Sequence, residues 1–226
     1  MHVSVIIPAL DEASRIAETV ASARDAGECE IIVVDGGSSD ETLAAARQAG
    51  ADVVLESPRG RARQLNVGAE ASHGDVLLFL HADCRLNPGS FEAVRNALAD
   101  ERVVAGCFRQ TIDATGLKYR ILERGNAARV RCSGWAYGDQ GIFVRRDAFT
   151  RIGGFPDIEL MEDLLLMKQL KRVGRIVLLE HALHVSARRW EHVGVVWQTL
   201  RNWATITLVQ CGVSPNRFAK AYTDVR

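Results

Sequence analysis

The sequence predicts an α/β protein: a mostly parallel, doubly wound sheet flanked by helices, with a helical extension at the C-terminal end. Three observations carry that prediction. Short β-branched runs alternate with helical stretches through residues 1–100, the rhythm of parallel strands joined by crossover helices. The strand-like runs are near-continuously apolar instead of alternating, as strands covered on both faces are. Gly27, Gly50 and Gly74 stand just past three of the helical stretches, where a left-handed terminal residue is needed.

Taken in order, Val3–Ile7, Glu30–Asp35, Val53–Leu55 and Asp75–Leu80 read as strands. Between and after them Glu12–Ala26, Asp40–Ala49, Arg61–Ala71 and Pro88–Ala99 read as helices. Ser39 or Asp40 can cap the second helix, and Pro88 suits a first helical position. The second half breaks the rhythm. Val103–Ile112, Gly141–Val144 and Arg175–Leu179 read as strands, and Leu117–Arg129 and Leu160–Val173 as helices. A long helical segment runs from Glu191 to Cys211 and breaks at Val213-Ser214-Pro215. With no internal repeat and no linker, one domain over 1–226 is expected.

Composition sets outer bounds. The 226 residues are 47% hydrophobic and 25% charged, which excludes disorder and collagen-like repeats. A chain of this size buries about 70% of its unfolded surface and needs no staples. Net charge is zero, without the positive excess of bulk nucleic-acid binding. The zero hides a gradient: residues 1–58 hold 3 basic and 11 acidic side chains, and residues 185–226 hold 6 and 2. Cys29, Cys84, Cys107, Cys132 and Cys211 are odd in number and widely spaced, a pattern of reduced thiols. A start without a basic leader and no apolar run of about 18 residues predict a cytoplasmic protein.

Ligands of a doubly wound sheet sit at the carboxyl ends of its strands. Those ends carry Pro8-Ala9-Leu10-Asp11-Glu12, Asp35-Gly36-Gly37-Ser38-Ser39-Asp40 and His81-Ala82-Asp83-Cys84. Asp35 and Asp83 would line one crevice, one accepting from a base or ribose and one holding a hard cation. Gly36 and Gly37 would let the backbone approach a ligand closely. The bland alternative is cap and turn chemistry, favoured for Ser38 and Asp40.

These clusters, with others further along, give the chain its resemblance to the inverting family 2 glycosyltransferases of GT-A fold. The matching pieces are Val3–Pro8 with Glu12, Val33–Asp40, Asn66-Val67-Gly68-Ala69, Phe79–Asp83 with Pro88-Gly89, Gly138–Gly141 with Arg145-Arg146, Gly153-Gly154-Phe155 and Glu162-Asp163-Leu164. Their order and spacing hold over residues 3–175. Arg59-Gly60-Arg61-Ala62 and Gly138–Gly141 resemble a short bacterial subgroup related to a carotenoid (diaponeurosporenoate) glycosyltransferase.

The resemblance implies roles. Pro8, Ala9, Leu10, Glu12, Asp35 and Gly36 would hold the nucleoside of a nucleotide-sugar, UDP-linked by the family pattern. Asp83 matches the last carboxylate of the D-x-D motif, which binds Mg²⁺ or Mn²⁺ on the diphosphate. Asp163 matches the catalytic base and Glu162 its acidic neighbour. Trp135 and Gln140 fall where the family contacts donor sugar or acceptor. The halves 1–100 and 101–185 would then bind nucleotide and acceptor, with amphipathic helices over 186–226. Four departures stand out: Gly36 replaces a frequent second Asp, His81 the first D-x-D carboxylate and Cys84 a following Asp. Leu65 replaces the usual Arg before the helix Asn, with Arg63 as the substitute.

An acceptor hydroxyl has a pKa far above 7, so a carboxylate must take its proton during transfer. Asp163 opens a helix, whose N-terminus favours the ionised form. His181 and His184, three apart, offer a late metal ligand at His184. Arg188-Arg189-Trp190 would clamp a phosphate and stack a sugar or lipid group. The last segment aligns Val193, Val196, Trp197, Leu200, Ala204 and Leu208 on one face. Core packing is favoured there, with a peripheral contact at the inner membrane face or a homodimer as alternatives. The acceptor would be a hydroxyl compound, with lipid as the class hinted at. Two other functions compete. A nucleotidyltransferase would carry a longer Gly-rich loop with a Lys after the first strand, and Pro8–Glu12 has neither. A nucleotide-sugar-binding module with lost activity is favoured by His81 and Cys84 and opposed by Glu162-Asp163.

Overall fold

A computed structural model describes residues 1–194. Strands β1 (Val3–Ala9), β2 (Glu30–Asp35), β3 (Val53–Glu56) and β4 (Val76–Phe79) alternate with helices α1 (Ile16–Asp25), α2 (Thr42–Gln48) and α3 (Arg61–Ala71). Then come β5 (Cys84–Leu86), α4 (Ser90–Ala97), β6 (Val103–Ile112), α5 (Leu117–Ser133), a 3-10 turn (Gly138–Gln140), β7 (Ile142–Arg145) and α6 (Arg146–Arg151). Helix α7 (Glu162–Val173), β8 (Arg175–Val185) and α8 (Arg188–Val193) close the described chain. One sheet joins the eight strands in the order β3-β2-β1-β4-β7-β6-β8-β5. Strands β1 to β4 pair in parallel, and β7 turns antiparallel between β4 and β6.

Successive strand side chains point to opposite faces, and the apolar runs fill two cores. Val3, Val5 and Ile7 join Val20 of α1, Ala46 of α2 and Phe91 and Val94 of α4 on one face. Ile6, Ile32 and Val34 join Leu65 of α3, Phe149 of α6 and Leu166 and Met167 of α7 on the other. Helices on both faces are the doubly wound arrangement expected from the sequence. Val103 to Ala105 and Phe108 to Arg109 carry register shifts against β8, which let β6 change face and bend the sheet.

Several expected boundaries move, for tertiary reasons. Helix α1 starts at Ile16 and not Glu12, because the Asp11, Glu12 and Ala13 N–H groups are taken by Ser38, Thr42 and Asp40. Pro88 lies before α4, whose entry is the left-handed Gly89. Gly27 and Gly50 have positive φ, but Gly74 does not: its missing Cβ lets it press on Ser4 and His2. Strand β8 runs on to Val185 and pairs with β5, a strand the polar tail after β4 concealed. Helix α8 starts at Arg188 and stops at Gly194, so the expected Glu191–Cys211 helix is interrupted at its first turn. The rest of that segment and its apolar face lie outside the described residues. Cys29, Cys84, Cys107 and Cys132 are free thiols, in line with the reduced pattern expected.

Candidate active site

In the order β3-β2-β1-β4 the winding reverses between β1 and β4, so the crevice opens at their carboxyl ends. The first wall is two loops laced together. Asp11 takes a left-handed φ of 53°, and its Oδ1 accepts from the Ser39 N–H at 2.7 Å. The Asp11 N–H donates to Ser38 Oγ at 2.9 Å and that of Glu12 to Thr42 Oγ1 at 2.9 Å. Holding a non-glycine residue there costs about 1–3 kcal/mol, and the cross-loop bonds hold it. Asp35 is buried and folded back: its Oδ2 accepts from Gly37 N at 2.9 Å and Ser38 N at 2.8 Å, and Ser38 Oγ donates to Oδ1.

Gly36 serves Gln64. A Cβ at Gly36 would come within 3.0 Å of the Gln64 amide, whose Nε2 donates to the Ala9 and Val34 carbonyls at 2.8 and 2.9 Å. The close approach allowed by this glycine is thus made on its Cβ side by the protein's own Gln64 side chain. Arg63 is committed to Asp157, with contacts of 2.9 and 3.1 Å. Asn66 clamps the Phe155 backbone at both N–H and carbonyl, each at 2.9 Å, and so anchors the segment leading to Glu162.

The second wall holds Asp83. It faces a cavity of about 510 Å³ lined also by Arg15, Arg85, Asp113, Arg188 and Glu191. Burial first, and then the Asp139 carboxylate, push Asp83 above the usual carboxylate range, against the pull of Arg188 and Arg15. Glu12 is raised as well, by burial and by Asp83, while Arg188 holds it down through a 3.1 Å ion pair. Cys84 is buried in the sheet core, its thiol 3.7 Å from Asp83 Oδ1, so the position of the missing family Asp points inward. His184 Nδ1 sits 2.8 Å from Asp113, a contact that orients the ring and leaves Nε2 as its ligand atom. Trp190 is buried in the main core and does not stack outward as expected. Arg188 does reach the site; the side chain of Arg189 lies outside the described set.

Between the two walls sits the turn Gly138–Gln140. A Cβ at Gly138 would lie 2.5 Å from His81 Nε2, so glycine lets the turn seat on the strand end that bears Asp83. The Gly138 N–H donates to Asp163 Oδ2 at 2.7 Å. Gln140 is buried and accepts from Arg129 Nη2 at 2.7 Å and Tyr137 N at 3.1 Å, which makes it the turn's anchor. Trp135 packs with Tyr137 against Leu160, Met161 and Leu164. Met161, φ 64°, is a second left-handed non-glycine residue, and it delivers Glu162 and Asp163 into the first turn of α7.

Glu162 is 1% exposed and paired with Arg61 Nε, the first residue of α3. Its Oε2 is buried without a partner among the described residues. Burial and the adjacent Glu162 raise Asp163 to about 6, against the cation of Arg61 and the N–H groups of Gly138 and Leu164. The helix N-terminus was expected to favour the ionised form; burial outweighs it. A carboxyl poised there can accept a proton near neutrality.

Sequence reading gave Arg61 and Asp139 no role. Arg61 stays firmly protonated because Glu162, with Asp163 and Asp139, outweighs its burial. Its only signal was its place beside Gly60 at a helix start. Among the described residues no group of three or more His, Cys, Asp or Glu side chains could hold a metal. Two oxygen donors fit a hard cation nonetheless. Asp139 Oδ1 is buried without a partner among the described residues, and its carboxylate adds to burial in raising Asp83. One or two carboxylates completed by substrate phosphates is how Mg²⁺ is commonly held.

A curled, mostly parallel sheet with its carboxyl-lined rim at the switch point defines an α/β protein of GT-A fold. Mannosyltransferase PcManGT from Pyrobaculum calidifontis, in complex with GDP-Man and Mn²⁺, superposes with a TM-score of 0.68 at 20% identity, covering 98% of this chain and 69% of that one. S. aureus TarS 1-349 in complex with UDP-GlcNAc gives 0.66 at 19% identity, over 82% and 58%. The family model for glycosyl transferase family 2 matches residues 4–153, and the chain belongs to that family. Over 92 residues it is 37% identical to glycosyltransferase AglJ of Haloferax volcanii, a match covering 40% of this chain and 29% of that protein. The matched stretch thus spans under a third of that relative.

Proposed function

We propose that the chain is an inverting glycosyltransferase that moves a sugar from a UDP-linked donor to a hydroxyl of a lipid-class acceptor. The observation that supports it best is the Gly138–Gln140 turn, which touches Asp163 through the Gly138 N–H and seats on His81, two residues before Asp83. A proton acceptor and a cation-bearing carboxylate then flank one crevice. Asp163 takes the acceptor hydroxyl's proton as its oxygen attacks the anomeric carbon, and the bond to the nucleoside diphosphate breaks with its electron pair on the phosphate. General-base help of this kind is typically worth about 10²–10⁴-fold.

The N–H groups of Gly138 and Leu164 hold the Asp163 carboxyl in place, and Asp35 with Pro8 to Glu12 form the nucleoside wall. Arg15 and Arg188 supply fixed positive charge near the departing diphosphate. Mg²⁺ or Mn²⁺ held by Asp83 and Asp139 would supply Lewis-acid neutralisation of that charge. Bound nucleotide-sugars in the TarS and PcManGT structures and Mn²⁺ in the latter support donor and ion. The test combines thermal-shift titration of UDP and GDP, with and without Mn²⁺, and transfer assays. Stabilisation by UDP that needs the ion, with Asp163→Asn inactive but still binding UDP, is expected. Turnover retained in Asp163→Asn would remove the base from its role.

A further inference from the structure

Among the described residues only three large hydrophobic side chains are strongly exposed: Met1, Leu117 and Ile121. The last two, 72% and 59% exposed, stand one turn apart on α5. Helical spacing puts exposed Ala128 on the same stripe. Arg124 and Arg131 run along one border of it and Lys118 along the other, all exposed. The only carboxylate of the helix, Glu123, is buried and turned inward to the Ile112 N–H and Arg120. The outward face of α5 is therefore apolar in the middle, cationic at its edges and free of acid.

Beside the arginine border lies a cleft of about 230 Å³ lined by Arg109, Arg120 and Arg124 with Thr111 and Ala182, its two carboxylates being Glu180 and the arginine-paired Glu123. Glu180 is engaged by Arg131 and, at 3.5 Å, by Arg109. Arg124 makes no ion pair or hydrogen bond among the described residues, and Lys118 only overlies the Tyr119 ring at 4.9 Å. Leu117 and Ile121 lose nothing electrostatic by leaving water, and Lys118 and Arg124 break no ion pair among the described residues by meeting phosphates.

We propose that the outward face of α5 docks on an anionic lipid bilayer. Leu117 and Ile121 enter the boundary between headgroups and acyl chains. Lys118, Arg124 and the Arg109–Arg120 cleft meet lipid phosphates. Apolar insertion with basic flanks is how an interfacial helix binds a membrane, and charge complementarity selects a bilayer over a neutral protein surface. This contact is independent of the chemistry assigned to Asp163 and Asp83, which lies on other elements.

The test uses the full chain with vesicles of phosphatidylcholine alone and of phosphatidylcholine doped with phosphatidylserine, in co-sedimentation at low and high salt. Two double variants accompany it, Leu117→Gln with Ile121→Gln, and Lys118→Gln with Arg124→Gln. Exposed positions keep the variants folded, which a thermal midpoint near that of the wild type verifies. Binding to the anionic vesicles, weakened by salt and absent on neutral ones, is expected. The charge variant should lose about 25-fold in partition, at about fivefold per cation, and the apolar variant at least tenfold. Binding unchanged in both variants would assign the contact elsewhere in the chain and overturn the proposal. No vesicle binding at all, or a dimer that the same substitutions dissolve, overturns it equally.

Discussion

Replacing Asp163 by Asn should make the folded protein more stable at neutral pH. Folding takes this carboxyl from 3.8 to about 6, so the folded state prefers it protonated. A group raised in this way contributes its stability below its unfolded value and loses it as pH rises through the folded one. The wild type thus loses stability from about pH 4 to about pH 7, by about 3 kcal/mol for a shift of this size. Asn stays neutral throughout and keeps an oxygen for the Gly138 N–H, now accepted at 2.7 Å. Its amide nitrogen forfeits the other contact, the 2.7 Å bond accepted from Leu164, at about 1 kcal/mol. The net gain at about pH 7.5 is about 2 kcal/mol, or about 4–8 °C in thermal midpoint for a chain of this length. Urea denaturation at about pH 7.5 and about pH 4.5 separates the effects, because only the first should show the gain. A variant weaker than wild type at neutral pH, or equally shifted at both, would refute the reasoning.

Three further outcomes follow from the same geometry. In steady-state assays kcat/KM should climb with pH and level off above an apparent midpoint near 6, where Asp163 gives up its proton; a flat acid limb contradicts it. Arg61→Met leaves Glu162 buried and unpaired and should cost about 3–5 kcal/mol, most of it recovered when Glu162→Gln is added. Equal losses in single and double variants, read by chemical denaturation, would deny the pair its role. Gly36→Ala presses a methyl within 3.0 Å of the Gln64 amide and should cost about 1–3 kcal/mol, with an unchanged denaturation midpoint counting against the packing account.

The strands were legible because burial on both faces writes itself as unbroken β-branched runs, and Val3 to Ile7 or Glu30 to Asp35 could hardly be anything else. Helix entries were less so. Nothing local says that the N–H of Ala13 will be claimed by Asp40, and that long-range bond is what delays α1. The acidic pair at α7 was legible as a motif, but its partner Arg61 lies 101 residues away and sequence offers no periodicity to link them. Trp190 was read as a site position and is core. It follows two arginines, and whether its side chain faces inward or outward is set only by the helix turn that forms there. The larger part of the upward pull on Asp163 was likewise hidden, because it comes from enclosure; only the contribution of the adjacent Glu162 could be read from the chain.

The ion pair from Arg188 to Glu12 joins positions 176 residues apart in sequence. Because α8 carries that arginine, the tail end of the described chain acts as a counterweight on the opening loop. Pulling α8 away would leave Glu12 and Asp83 facing each other with one fewer compensating cation. The charge balance at Asp83 and the docking of α8 are therefore thermodynamically linked, so whatever moves the tail also retunes the crevice.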